Sequence, residues 1–570
     1  MTPDSAPRIE RRPLDEAALE ALHSAGIEPL LARLYAARGV TGADEIAVQL
    51  TGLPRPEHLP GLADAVDRLL IARASGERVC VVGDYDADGA TGTALAVRGL
   101  RALGFAEVDY RVPDRIVHGY GLTPAIVDVA CSEAAPTLLI TVDNGIASVD
   151  GVRHASERGV DVIVTDHHLP GATLPAAAAL LNPRLDPASP LAELAGVGVM
   201  FFLLIALRAA LRDAGEPHDV PLASWLDIVA LGTVADVVPL GSTNRILVEQ
   251  GLRRLRAGQG CAGVRALIEV SGRDAPHLRA SDFGFALGPR LNAAGRLDDM
   301  TLGVELLLTD DLVRARALAG RLDEINRARR EIEADMSAEA QVLAGEVPDA
   351  WGLCLHEARW HPGVVGIVAG RVRERWHRPV IAFAESSPGV LRGSARSIQG
   401  CHIRDAIEAV ATAHPGMVPA FGGHAMAAGL TLASDDFERF AAAFDGVIRT
   451  VLSPADLAEV RFTDGSLAAA EFDLGTARQL ERAGPWGAAF PEPVFEGVFE
   501  VHDVRIVGGD HVRLRLAPAR GLMVDAIAFG GVARGWHEPA ARLHVLYRLE
   551  VNRWRGRESV QLGVEWLQDA

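Results

Sequence analysis

Five short stretches of this chain gather carboxylates, imidazoles and glycines: GDYDADG (83–89), TVDNG (141–145), VTDHH (164–168), GTVAD (232–236) and FGGHAMAAG (421–429). The first four are read as turns that directly follow short apolar strands. Acidic groups packed this closely repel one another and cost stability unless positive charge sits among them. A pair of divalent cations held by Asp oxygens and a His nitrogen removes the conflict. Two such ions are what hydrolysis of a phosphodiester requires.

The elements around these turns must bring them together. From Arg78 the chain alternates apolar β-branched runs with amphipathic ones: strand RVCVVGDYD, helix GATGTALAVRGLRALG, strand VDYRVPD, helix LTPAIVDVACSE, strand PTLLITVDNG, helix ASVDGVRHASERG and strand VDVIVTDHH. Units of this size predict βαβ crossovers and a mostly parallel sheet. Ligand sites in such sheets lie at the carboxyl ends of the strands, so the strand-borne turns should converge on one crevice. The fold class expected is α/β. A helical segment covers 1–50, a catalytic α/β lobe 51–310, a long charged connector helix 311–345, a second α/β lobe 346–452, and a small β-barrel of OB-like character 453–570.

Bulk composition narrows the classes. A chain of 570 residues is too long for one core. With 49% hydrophobic and 23% charged residues it is an ordinary soluble globular protein. No apolar run reaches ~18 residues, so no membrane span is expected. The opening MTPDSAPRIERRPLDE has no apolar stretch, so no secretory signal is expected either. Five scattered Cys (80, 131, 261, 354, 401) form no CxxC pair and no disulfide framework, which fits a reducing cytoplasm and excludes zinc ribbons. The formal net charge of −19 opposes a nucleic-acid coat protein, although phosphates respond to local potential rather than to the total. All 56 basic residues are Arg. That composition fits a GC-rich genome, excludes a P-loop reading of GDYDADGATGTA, and means that any basic phosphate contact is a guanidinium fork.

At these motifs the chain resembles a known family. DYDADG, the Asp143 turn, Asp166-His167-His168 and GTVAD resemble the four motifs of the DHH phosphoesterase superfamily, and FGGHAMAAG resembles the glycine-rich signature of its companion DHHA1 domain. With a connector helix and a C-terminal β-domain, the whole is similar to the bacterial single-strand-specific DNA exonucleases of that superfamily. The resemblance implies that Asp86, Asp88, Asp143, His167 and Asp236 ligate two Mn²⁺ or Mg²⁺ ions, with Asp84 a ligand or an outer orienter. The donor set itself suits Mn²⁺. His168 is the candidate to contact the scissile phosphate or the leaving oxygen, and Asp166 to orient an imidazole. The least faithful stretch is GPWGAAFPEPVF (484–495), where relatives usually carry Gly-Asn and this chain has Ala489-Phe490.

For the substrate, the resemblance implies that Ser394 and Arg396 of a GSARS turn, with Arg296 and Arg115, hold a terminal 5′-phosphate, and that His424 lines the nucleotide path. The last 70 residues hold ten Arg against eight acidic residues, and NRWRGRESVQL interleaves Arg553, Trp554, Arg555 and Arg557. Cations around an exposed aromatic suit single-stranded DNA; a hairpin with a core Trp and solvated Arg is the alternative. The function expected is metal-dependent 5′→3′ digestion of single-stranded DNA to mononucleotides in recombination and repair. Single-strand binding protein and a helicase are the expected partners, and a monomer the expected form. A hydrolase of short oligoribonucleotides, cyclic dinucleotides or pyrophosphate is the runner-up, disfavoured by the β-domain after residue 453. A non-catalytic scaffold is the third reading, disfavoured by the full set of carboxylates.

Overall fold

The computed structural model describes residues 7–115, 117–216, 218–345 and 349–570. They form two compact units. One comprises Arg11–Gly295, Asp299–Asp323 and Phe462–Ala570; the other comprises the residues up to Glu10, Arg296–Asp298 and Glu324–Arg461.

The first unit contains the parallel sheet. Strands β1 (Arg78–Val82), β2 (Glu107–Arg111), β3 (Leu138–Val142), β4 (Asp161–Thr165) and β5 (Ala179–Leu181) lie in the order β2-β1-β3-β4-β5, and every neighbouring pair is parallel. Period-two geometry divides their side chains between two cores. Val79, Val81, Leu138, Ile140 and Ile163 join one core, and Cys80, Val82, Leu139, Val162 and Val164 the other. Both faces are therefore buried, which is why these strands read as continuous apolar runs. The first crossover helix, α1 (Ala87–Ala102), starts on the Asp86 side chain, which accepts from the backbone amides of Asp88 and Gly89. Helix α2 (Gly196–Asp213) packs against α1 on that side, and α3 (Leu226–Ala235) lies beside both.

Helix α3 corrects one expectation. GTVAD was expected in a turn after a strand, but its first four residues form the last turn of α3 and Asp236 is its C-cap. The run LDIVALGTVA is apolar except for Asp227 and Thr233, and Leu226 through Thr233 are all buried. Such a run has no periodicity to separate a helix enclosed on all sides from a buried strand. The N-terminal segment also differs in part, because a strand at Arg8–Arg11 precedes its helices Glu16–Ser24 and Pro29–Ala36.

The connector is a single 33-residue helix, α4 (Leu312–Ala344), which contributes residues to both units. The second unit holds a mixed sheet of β6 (Leu353–His356), β7 (Val380–Ser387), β8 (Val390–Arg396), β9 (Ala420–Gly423) and β10 (Ala427–Ala433), ordered β9-β10-β8-β7-β6, with helix α5 (Val365–Trp376) packed on β7 and β8. GSARS is not a turn. Its residues up to Arg396 lie in β8, hydrogen-bonded between β7 and β10. Its amides therefore serve the ladder rather than an anion nest. Gly393 is needed there because a Cβ would fall 2.5 Å from the Phe383 ring.

In the first unit the chain ends in a closed barrel of β11 (Phe495–Val507), β12 (His511–Ala519), β13 (Leu522–Ala528), β14 (Arg542–Trp554) and β15 (Arg557–Asp569), in the order β11-β12-β13-β15-β14. The divergent Ala489-Phe490 lies in its anchor. Ala489 adopts φ +56°, so the left-handed turn survives without glycine. The Phe490 ring stacks on Trp486 with centroids 5.2 Å apart and beneath the Arg245 guanidinium at 4.2 Å. Beside it, Arg38 grips Asp464 with two nitrogens at 2.8 and 3.0 Å, both side chains being 1% exposed. Removing one partner of such a buried pair leaves an uncompensated charge. Arg38→Met should therefore cost about 3 kcal/mol, measured by urea unfolding.

Candidate metal centre

Asp84 and Asp86 follow β1, Asp143 follows β3, and Asp166 to His168 follow β4, so three strand ends deliver their turns to one point. The ladder continues past the strands, with the Asp143 amide donating to Thr165 O at 3.0 Å. The Asn144 side-chain amide donates to Val82 O and Val142 O, tying β1 to β3 beneath the site. Asp236 arrives from the end of α3.

His167 sits among the carboxylates. Its Nε2 lies 3.0 Å from Asp143 Oδ1, 3.5 Å from Asp236 Oδ2 and 3.9 Å from Asp88 Oδ2. Three groups of donors each fall within 4.8 Å: Asp84, Asp86 and Asp143; Asp88, His167 and Asp236; and Asp143, His167 and His168. Asp143 belongs to two of them. Asp84, Asp88 and Asp143 are 3%, 1% and 1% exposed, so these charges are held out of water. Burial, then Asp86, raises Asp84 well above the usual carboxylate range. Burial, then Asp88 and Asp86, does the same to Asp143 and Asp236. Asp88 is pushed to about 7 by burial and Asp86, against the Val197 and Gly196 amides. Asp84 Oδ1 and Asp143 Oδ1 are buried without a hydrogen bond. Hard oxygen donors left short of partners, with an imidazole among them, fit divalent cations well.

Asp166 is different. Its Oδ2 accepts from the Ile146 amide at 2.9 Å, and its Oδ1 accepts from the His167 amide at 2.7 Å and lies 2.7 Å from His168 Nδ1. Burial would raise it, but His168 and the Ile146 amide hold it below the ordinary value. Burial would likewise lower His168, but Asp166, with Asp84 and Asp86 behind it, raises the imidazole to about 8. The pair is an imidazole oriented by a buried carboxylate at the edge of the cluster.

Several contributors escaped sequence reading. Gly196 and Val197, at the first turn of α2, donate their amides to Asp88 at 2.6 and 3.0 Å. A Cβ on Gly196 would fall 2.6 Å from Asp143 Cβ, so only glycine lets the helix end approach. The small-residue run AGVG (195–198) was the available signal. Tyr85 and Tyr120 line the centre near Arg115, whose guanidinium lies 4.3 Å from the Tyr85 ring.

In the second unit, Arg296 donates to Gly363 O at 2.9 Å, and a Cβ on Gly366 would fall 2.8 Å from Ser394 Oγ and 3.0 Å from Arg396 Nη2. The start of α5 thus joins the three residues predicted for a 5′-phosphate. His424 lies in the β9–β10 hairpin, whose amide closes on Ala427 O, and Ala427 pairs with Arg396. On the barrel, Trp554 is 68% exposed and carries Arg555 over its ring at 5.7 Å, which excludes the core-Trp alternative. Arg553 differs from expectation. Its three guanidinium nitrogens meet Glu481 and Glu558 at 2.6–2.9 Å, so it braces the hairpin.

Fold and site together define a phosphoesterase of the DHH class. The DHH family N-terminal domain matches residues 78–233, the DHHA1 domain 340–450 and the RecJ OB domain 463–565. The single-stranded-DNA-specific exonuclease RecJ of Dickeya dadantii is 51% identical over 98% of this chain and 99% of its own length. RecJ of Thermus thermophilus in complex with Mn²⁺ superposes with a TM-score of 0.82 at 32% identity, covering 100% of this chain and 80% of that one. Its complex with Mg²⁺ gives 0.76 at 30% identity, covering 99% and 78%. The chain belongs to the RecJ family.

A carboxyl group whose pKa rises on folding favours the folded state while protonated and opposes it once ionised. For Asp88 that change spans the interval from its ordinary range up to about 7. Mn²⁺ neutralises the ionised cluster and competes with protons below about pH 7. The rise in Tm on adding Mn²⁺ should therefore be larger at pH 8 than at pH 6, and a chelator should reverse it in scanning calorimetry.

Proposed function

We propose that this chain is a metal-dependent 5′→3′ exonuclease that hydrolyses single-stranded DNA to 5′-mononucleotides and serves DNA recombination and repair. The observation that carries the reading is the convergence of Asp84, Asp86, Asp88, Asp143, His167 and Asp236 on one buried centre, in a chain that aligns along its length with exonucleases of this specificity. These six residues would hold two divalent cations, Mn²⁺ or Mg²⁺, which supply an acidified water and offset charge on the phosphate. His168, held by Asp166 at 2.7 Å from its Nδ1, is placed to bond the scissile phosphate or give a proton to the leaving oxygen. Asp166 holds that imidazole in register.

Arg296, Ser394 and Arg396 form the proposed 5′-phosphate pocket, where fork-shaped guanidinium groups favour a dianionic chain end over an internal diester. Arg115 is a second phosphate contact, beside the carboxylates, and His424 borders the nucleotide path. Trp554 and Arg555 offer an exposed ring and a cation for stacking bases, worth ~1–3 kcal/mol per base. The domain limits 1–50, 51–310, 311–345, 346–452 and 453–570 are part of this reading. So are a monomeric form, a cytoplasmic site of action, and cooperation with single-strand binding protein and a helicase. Among the described residues no helix is long and apolar enough to cross a membrane.

Single-stranded DNA labelled separately at each terminus tests the activity. With Mn²⁺ the wild type should release the 5′ label first as mononucleotide. Asp143→Ala and His167→Ala should each lower the rate at least ~10³-fold while retaining most single-strand binding in a filter assay. Undiminished cleavage in both would place the chemistry elsewhere. Arg396→Ala should slow digestion of 5′-phosphorylated strands ~10-fold or more and spare 5′-hydroxyl strands. An equal loss on both ends would remove the pocket.

A further inference from the structure

Tyr85 stands between Asp84 and Asp86 in the sequence, and its ring is engaged from two directions. The Arg115 guanidinium covers it at 4.3 Å, and Tyr120 meets it at 6.1 Å with planes 72° apart. Tyr120 then stands edge-on to His168, with centroids 5.8 Å apart and planes at 82°. Its hydroxyl is 3.2 Å from His168 Nδ1 and 3.3 Å from Nε2. Nδ1 is already engaged by Asp166 at 2.7 Å. The hydroxyl is thus poised over the ring rather than committed to one nitrogen, and a small swing would give it Nε2 alone. The backbone permits a swing, since Gly119 and Gly121 on either side have φ +79° and +76°. Tyr120 is 49% exposed, so core packing does not account for its ring.

An unbroken line of contacts therefore runs from Arg115 through Tyr85 and Tyr120 to His168. A phosphate that pulls the guanidinium toward itself shifts it across the Tyr85 face, because the charge-assisted bond to phosphate is stronger than the stacking contact. We propose that Tyr120, with Tyr85, is a positioning residue that couples the engagement of a DNA phosphate by Arg115 to the orientation of His168. Hydrolysis is then fast only once the strand end is seated. The inference rests on the nuclease reading above. It adds to it a communication between end recognition and the imidazole, which requires the phosphate to interact differently with two arrangements of the same element.

The test is a double-mutant cycle on the full chain with Mn²⁺, measuring kcat and KM on 5′-phosphorylated and 5′-hydroxyl single strands for wild type, Arg115→Ala, Tyr120→Phe and the double variant. Tyr120→Phe keeps the ring and should lower kcat on the phosphorylated strand about tenfold at nearly constant KM. It should also bring the rates on the two ends close together. The double variant should be within about twofold of the slower single variant, the sign of a shared path. Mn²⁺ affinity by calorimetry should be unchanged in Tyr120→Phe. Losses that multiply, an equal loss on both ends, wild-type kinetics in Tyr120→Phe, or weakened Mn²⁺ binding would each overturn the coupling. A wild type that digests neither strand would sink the nuclease reading, and this inference with it.

Discussion

Like charges buried side by side are the constraint around which the catalytic half of this molecule is organised. Three aspartates with at most 3% exposure share one site with a fourth and a fifth carboxylate. Isolated ions of one sign in a low-dielectric interior are unfavourable by many kcal/mol. The fold answers with backbone. Two helices begin at the site, α1 capped by Asp86 and α2 giving two amides to Asp88. Helix N-termini favour negative charge. The rest of the conflict is left for bound cations, the arrangement a catalytic metal centre needs.

The same constraint leaves its mark on the main chain. Asp143 has φ +63° and Val237, the residue after Asp236, has φ +64°. Neither is glycine, and a left-handed residue of this kind costs about 1–3 kcal/mol. Both conformations persist because the surrounding ladder and helix ends over-determine them, Asn144 joining β1 to β3 on one side and α3 closing on the other. Among the described non-glycine residues, Ala135, His377, Ala489 and Arg555 also have positive φ, but Asp143 and Val237 are the two that lie at the carboxylate cluster.

A chain without lysine draws its permanent side-chain positive charge from guanidinium groups, and many of these serve structure. Arg38 secures Asp464 at the barrel's anchor, Arg245 covers Phe490, and Arg553 joins Glu481 to Glu558 under the barrel hairpin. Planar forks suit this because one side chain can bind two acceptors and stack on a ring. The consequence for recognition is that arginine content says little about nucleic-acid contacts. Arg553 and Arg555 are two positions apart in sequence, yet one is held between carboxylates and the other lies over an exposed indole.

The sequence by itself determined the strands, the crossovers and the carboxylates at the strand ends. A strand buried on both faces requires an unbroken β-branched run, and a parallel sheet places the turn after each strand at one edge; RVCVV, LLITV and DVIVT meet that rule directly. Tertiary structure alone decided whatever depends on enclosure by distant segments. LDIVALGTVA became a helix because its neighbours bury it on all sides, and GSARS became a strand because β7 and β10 hydrogen-bond it from both edges. It also decided which amides reach Asp88, which arginines are already engaged, and that Tyr120 reaches His168. Such facts depend on separations of a few ångströms between residues tens of positions apart, and no local periodicity encodes them.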